Sequence, residues 1–169
     1  MIAGHLGAAY TLGGRSAEAI PLLEEALERE YRHWLEPVPS LGLAEAYLRA
    51  GRTKDASLQA DRALEVARQR GQRGHEAWIR WLFGEIAAQN GAGDADIVEG
   101  HYRQALVLAG ELGMRPLIAH CHLGLGQWHR RAGEPAKAHE HMAVARMLYR
   151  EMDVTLWLAQ IDAGQPVTA

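Results

Sequence analysis

Histidine and cysteine are the side chains of this sequence best suited to chemistry. Of nine histidines in 169 residues, five lie between His120 and His141, and the single cysteine, Cys121, sits among them. Imidazoles can hold a metal or move a proton, and a thiolate can attack an electrophile, provided the groups converge. Metal ligands must meet at about 2 Å from one point, which on a single helix means i, i+4 pairs. His120 and His122 are two apart, as are His139 and His141, so the members of each pair point to different sides. His122 and His129 share a face, but it also carries Leu125 and Gly126 and reads as packing surface. Cys121 is adjacent to His120 and His122, and adjacent helical residues do not face one another, so it reads as an inert buried thiol. The run Asp94, Asp96 and Glu99 lacks the twelve-residue calcium-loop pattern, whereas Asp96 and Glu99 have the spacing of a capping box. No GxxxxGK[ST], GxSxG or HExxH occurs. The expectation is no catalytic residue, no metal and no cofactor. A small metalloenzyme built on the histidine-rich segment is the remote alternative and predicts stoichiometric zinc.

The elements that carry these residues follow from a repeat. Turn glycines at Gly14, Gly51, Gly91 and Gly133 are spaced by 37, 40 and 42 residues. Seven residues before each stands Gly7, Ala44, Gly84 or Gly126, and four before come Tyr10, Tyr47, Ala87 and His129. Ala19, Ala56 and Ala138 lie five residues after a turn glycine, and Ala26, Ala63 and Ala145 twelve after. The third unit is shifted to Ala105 by an insertion in GAGDADIVEG. Small residues let two helices approach at a crossing while Leu and Tyr fill the space beside it. A left-handed glycine ends the first helix. Each unit is therefore a helical hairpin that must stack on its neighbours to bury its face.

The hairpins are expected at Ile2–Leu12 with Ser16–Trp34, Ser40–Ala50 with Thr53–Arg70, Gly74–Asn90 with Asp96–Leu112, and Pro116 to before Gly133 with Pro135–Glu151. Ser16, Ser40 and Thr53 are the expected N-caps, and Pro37 and Pro39 the mark of an extended connection. A last helix, Val154 to Ala163, presents Val154, Trp157, Leu158 and Ile161 on one face as a cap. The units are about 1–36, 37–73, 74–114 and 115–152, with the cap at 153–163 and a frayed tail at 164–169. A net charge of −3 gives no general affinity for nucleic acid or anionic membranes, and no apolar run reaches the roughly 18 residues of a membrane span. One cysteine and no signal peptide make the cytoplasm the expected location.

The stretches LGAAYTLGGRSAEAIPLLEEAL, LAEAYLRAGRTKDASLQADRAL and LGLGQWHRRAGEPAKAHEHMAVA resemble the tetratricopeptide repeat (TPR) family, whose usual period is about 34 residues. The segment ELGMRPLIAHCHLGLGQWHRRAGEPAKAHEHM is similar to TPR arrays of large bacterial signalling ATPase or nucleotide cyclase regulators. The resemblance implies an all-α, right-handed superhelix of four hairpins plus a capping helix. It also implies a non-catalytic scaffold that holds a peptide or protein segment in a concave groove. The alternative is a sensory or assembly segment of a larger multidomain signalling ATPase, cyclase or transcription regulator. The first helix begins at or after Met1 without a capping turn, so the array is either part of a longer chain or covers that edge by self-association.

In TPR proteins the first helices of the hairpins line the groove. Carried over, that face holds Leu41, Glu45, Leu48 and Arg49; Trp78, Trp81, Glu85 and Gln89; and His120, Leu123, Gln127, Arg130 and Arg131. Gly4, Ala8 and Thr11 of the first hairpin are too small to grip. Trp78 and Trp81 share a face and either anchor an apolar partner side chain or pack between hairpins. Lys54 and Lys137 fall outside the groove, which excludes a carboxylate clamp. Glu45 and Glu85 towards the middle, with Arg130 and Arg131 towards the end, suit a peptide carrying both charges, unless they are simply solvated.

Overall fold

Gly51 and Gly133 have φ of +74° and +77°, the left-handed turn that a side chain would strain. The amide that follows each returns to a carbonyl five residues back, Arg52 to Tyr47 at 2.8 Å and Glu134 to His129 at 2.9 Å. These closures define the ends of helices in a computed structural model that describes residues 14–30, 37–89 and 95–162. Among the described residues every regular element is an α-helix: α1 Ser16–Glu30, α2 Pro37–Arg49, α3 Thr53–Gln69, α4 Arg73–Gln89, α5 Ala95–Glu111, α6 Arg115–Arg131, α7 Pro135–Glu151 and α8 Thr155–Asp162. The same closure also ends α3, α5 and α7, at Gly71, Gly113 and Asp153, whose following amides bond Ala67, Ala109 and Tyr149. The sequence reading did not use that second punctuation. The expected helix at Ile2–Leu12, the extension of α1 to Trp34, residues 90–94 and the tail lie outside the described residues.

Several helix starts differ from expectation by a residue or more. The carbonyl of Arg15 accepts the first amide bonds of α1, and Arg52 is the N-cap of α3, without a side-chain cap bond. Ser16 and Thr53 are thus the first helical residues rather than caps. Ser40 lies inside α2, which begins at Pro37, so Pro37 and Pro39 occupy its first turn instead of an extended connection. Proline is tolerated there because first-turn amides have no intrahelical acceptor. Asp96 is likewise within the first turn of α5, as its second residue, two positions past the cap.

Tight packing joins α2 to α3, α4 to α5 and α6 to α7, and each pair docks on the next through α3–α4 and α5–α6. The first helices also touch directly, α2 with α4 and α4 with α6, while α1 packs on α2 and α8 on α7. The repeat alanines of the second helices are buried; Ala19, Ala26, Ala56, Ala63, Ala105, Ala138 and Ala145 are at most 6% exposed. The glycines before the crossings are needed for close approach. A Cβ on Gly126 would stand 2.9 Å from Met142 Cγ, and one on Gly84 would stand 3.0 Å from the Tyr102 ring. Large therefore faces small from one unit to the next, which keeps the packed volume constant.

The helix α8 lays Trp157, Leu158 and Ile161, with Val154 before it, on a cluster of Ala119, Leu123, Ala145 and Tyr149. Its described span is eight residues against seventeen for α6. No helix among the described residues is long and apolar enough to cross a membrane.

Candidate functional site

Equivalent positions of α2, α4 and α6 form rows. Glu45, Glu85 and Gln127 each stand six residues before a turn glycine, and Arg49, Gln89 and Arg131 two before. Because these three helices are neighbours, the rows run across one face. Within it Arg49 bonds Glu45 one turn earlier at 2.6 Å, with the two side chains 17% and 26% exposed. Gln89, Arg130 and Arg131 are exposed, whereas Gln127 is buried and so is not available as a groove contact.

Glu85 is not the open groove acid its position implied. Its Oε1 accepts a hydrogen bond from the Tyr102 hydroxyl of α5 at 2.7 Å. That oxygen and the hydroxyl lie against Gly124 of α6, where a Cβ would stand 2.5 Å from both. Burial pushes the Glu85 carboxyl above the usual range, against the pull of the Tyr102 bond and of Arg131 and Arg49. The Tyr102 phenol is raised well above its ordinary value, by burial first and then by Glu85. Three helices from two hairpins meet at this acid–phenol pair.

Trp78 and Trp81 are partly buried rather than freely exposed, edge to face at 5.5 Å between ring centroids. Trp81 packs on two of the apolar clusters, so it has the role of a spacer between hairpins. His120 is also a packing residue. Its ring lies 5.6 Å from Trp78, 5.8 Å from Trp81, 5.7 Å from Tyr149 and 4.8 Å from Trp157. Its Nδ1 is 3.0 Å from the Tyr149 hydroxyl, and burial lowers its pKa to about 4, so the ring is neutral at physiological pH. Tyr102 and Tyr149 escaped the sequence reading because their partners are on other helices.

His122, His129 and His141 meet across the α6–α7 interface. Nδ1 of His122 lies 2.9 Å from Nδ1 of His141, a contact in which one nitrogen must carry the proton and the other accept it. The His141 ring stacks on that of His129 at 5.4 Å. His129 is buried, and its Nδ1 faces the Glu134 carboxylate at 2.6 Å. His129 and Glu134 occupy the positions where the second hairpin sets Arg52 over the Tyr47 ring at 4.2 Å. Burial, and then the facing His141, lowers His122 to about 4. Burial also pushes the Cys121 thiol far up. Among the described residues no group of three or more His, Cys, Asp or Glu side chains could hold a metal ion.

No family model matches the chain, and no curated protein does. The surface itself must therefore carry the functional reading. A cleft of about 420 Å³ between α4 and α5 is lined by Glu76, Arg80, Gly100, Arg103, Gln104, Val107 and Leu108, none of which belongs to the rows on α2, α4 and α6. Of the thirteen residues carried onto the groove face from the second to fourth hairpins, Gln89, Arg130 and Arg131 are open to solvent. Leu41, Glu45, Arg49, Trp78, Trp81, Glu85 and His120 are partly buried in contacts of their own, and Leu48, Leu123 and Gln127 are enclosed.

Proposed function

We propose that this chain is a non-catalytic, TPR-like scaffold, a right-handed superhelix of helical hairpins that holds a peptide or protein segment against the face of α2, α4 and α6. The observation that carries the reading is the direct contact of α2 with α4 and of α4 with α6. It sets equivalent positions side by side, and a continuous face made of regularly repeated side chains suits an extended or helical ligand. The groups best suited to chemistry support it too. His129 is engaged by Glu134, His122 by His141, His120 by Tyr149, and the Cys121 thiol is buried.

The test is to select binders to the full chain from a randomised dodecapeptide display library and map the tightest by hydrogen exchange. Protection concentrated in α2, α4 and α6 is the expected result. Protection confined to α3, α5 and α7 would overturn the assignment of the face.

A further inference from the structure

We infer that the segment accepted by the α2–α4–α6 face is acidic, carrying aspartate or glutamate opposite Arg130 and Arg131. The inference rests on the reading of that face as the partner-binding surface. By sequence the face is mixed, with Glu45 and Glu85 against Arg49, Arg130 and Arg131. The structure withdraws both acids. Glu45 is joined to Arg49 at 2.6 Å, which cancels one charge of each sign. Glu85 is turned into the stack, bonded to the Tyr102 hydroxyl and covered by Gly124.

The cations at the other end are not withdrawn. Arg130 and Arg131 are exposed, and Arg131 acts on the inward-turned Glu85 only through its charge. Their exposure has a structural cause. The residues equivalent to Arg130 in the earlier units are Leu48 and Ala88, each 8% exposed and packed in the apolar clusters. Among the described residues the last helix, α8, packs on α7, and no described helix covers Arg130 in that way. On α6 the face presents two adjacent guanidinium groups, each able to grip a carboxylate with paired N–H donors. Partly buried Trp78 and Trp81 supply apolar surface on α4. Local charge complementarity at Arg130 and Arg131 then selects an acidic segment.

The experiment compares dodecapeptides selected on the full chain with their binding to Arg130→Glu/Arg131→Glu, whose unchanged circular dichroism and melting confirm folding. The expected result is selected peptides of net negative charge, weakened by about tenfold or more by the charge reversal and progressively by added salt. Peptides that protect α2, α4 and α6 but are neutral or basic, or acidic ones indifferent to the charge reversal, would overturn the acidic preference and leave the face assignment standing. Peptides that protect only the second helices, or no selection at all, would remove both. Equally tight binding of a single-stranded oligonucleotide through Arg130 and Arg131 would also overturn the inference.

Discussion

Replacing Gly124 by alanine tests the packing that shapes the face. The added Cβ would stand 2.5 Å from Glu85 Oε1, 2.5 Å from the Tyr102 hydroxyl and 2.7 Å from Tyr102 Cζ, against 3.4 Å for the near edge of ordinary contact. Because the contacts come from two different helices, relief requires separating the acid from the phenol or moving α6. Overpacking costs about 1–3 kcal/mol. Leaving a buried acid without its hydrogen bond costs about 1–3 kcal/mol more. Alanine regains about 1 kcal/mol over glycine in a helix interior, so the net destabilisation is about 1–5 kcal/mol. Urea unfolding followed by far-ultraviolet circular dichroism reads this as a lower midpoint at unchanged slope. Gly110→Ala is the control, since a Cβ there meets nothing within 4 Å and α5 should gain up to about 1 kcal/mol. In combination with Tyr102→Leu, the cost of Gly124→Ala should be less than additive. A Gly124→Ala protein as stable as the parent would refute the buried contact between Glu85, Tyr102 and Gly124.

Two further expectations follow from the same interfaces. Asp153 has φ of 57° at the position held by Gly71 and Gly113, so Asp153→Gly should raise stability by about 0.5–1 kcal/mol, and a fall in the urea midpoint would contradict this reading of the turn. His120 and His122 are lowered to about 4, and His141 is lowered as well, by burial in each case and then by nearby charge. A histidine whose folded pKa lies below its unfolded value of about 6.5 binds fewer protons when folded. Their contribution is therefore fully present above pH about 6.5 and lost as pH falls towards about 4. The urea midpoint should decline over that window, and a flat midpoint there would show that these rings are solvated.

Helices and their crossings were legible because they depend on contacts at fixed spacing. Gly51, Gly133 and the alanines at Ala56, Ala63, Ala138 and Ala145 announce a helix end and a close approach within one hairpin. What spacing could not show is contact between helices. Glu85 read as a groove acid because its binding partner, Tyr102, is 17 residues away on another helix and the gap that admits them is a glycine on a third. The His122–His141 contact, 19 residues apart, was hidden for the same reason. Helix starts were misplaced because serine and threonine are favoured both at the cap and in the turn that follows it. At Pro37 the misplacement came from a proline that fits a first turn as well as an extended connection. Trp78 and Trp81 share a helix face at any register, and only the position of the neighbouring hairpin decides how much of each ring remains open.

Site-specific photocrosslinking gives the most direct test of the face itself. A benzophenone amino acid is placed at exposed Gln89 or Arg131 on the first helices, and separately at exposed Leu58 or Met147 on the second helices. A peptide selected for binding should crosslink at 89 and 131 and not at 58 and 147. Crosslinking at 58 and 147 alone would contradict the assignment of α2, α4 and α6 as the binding surface.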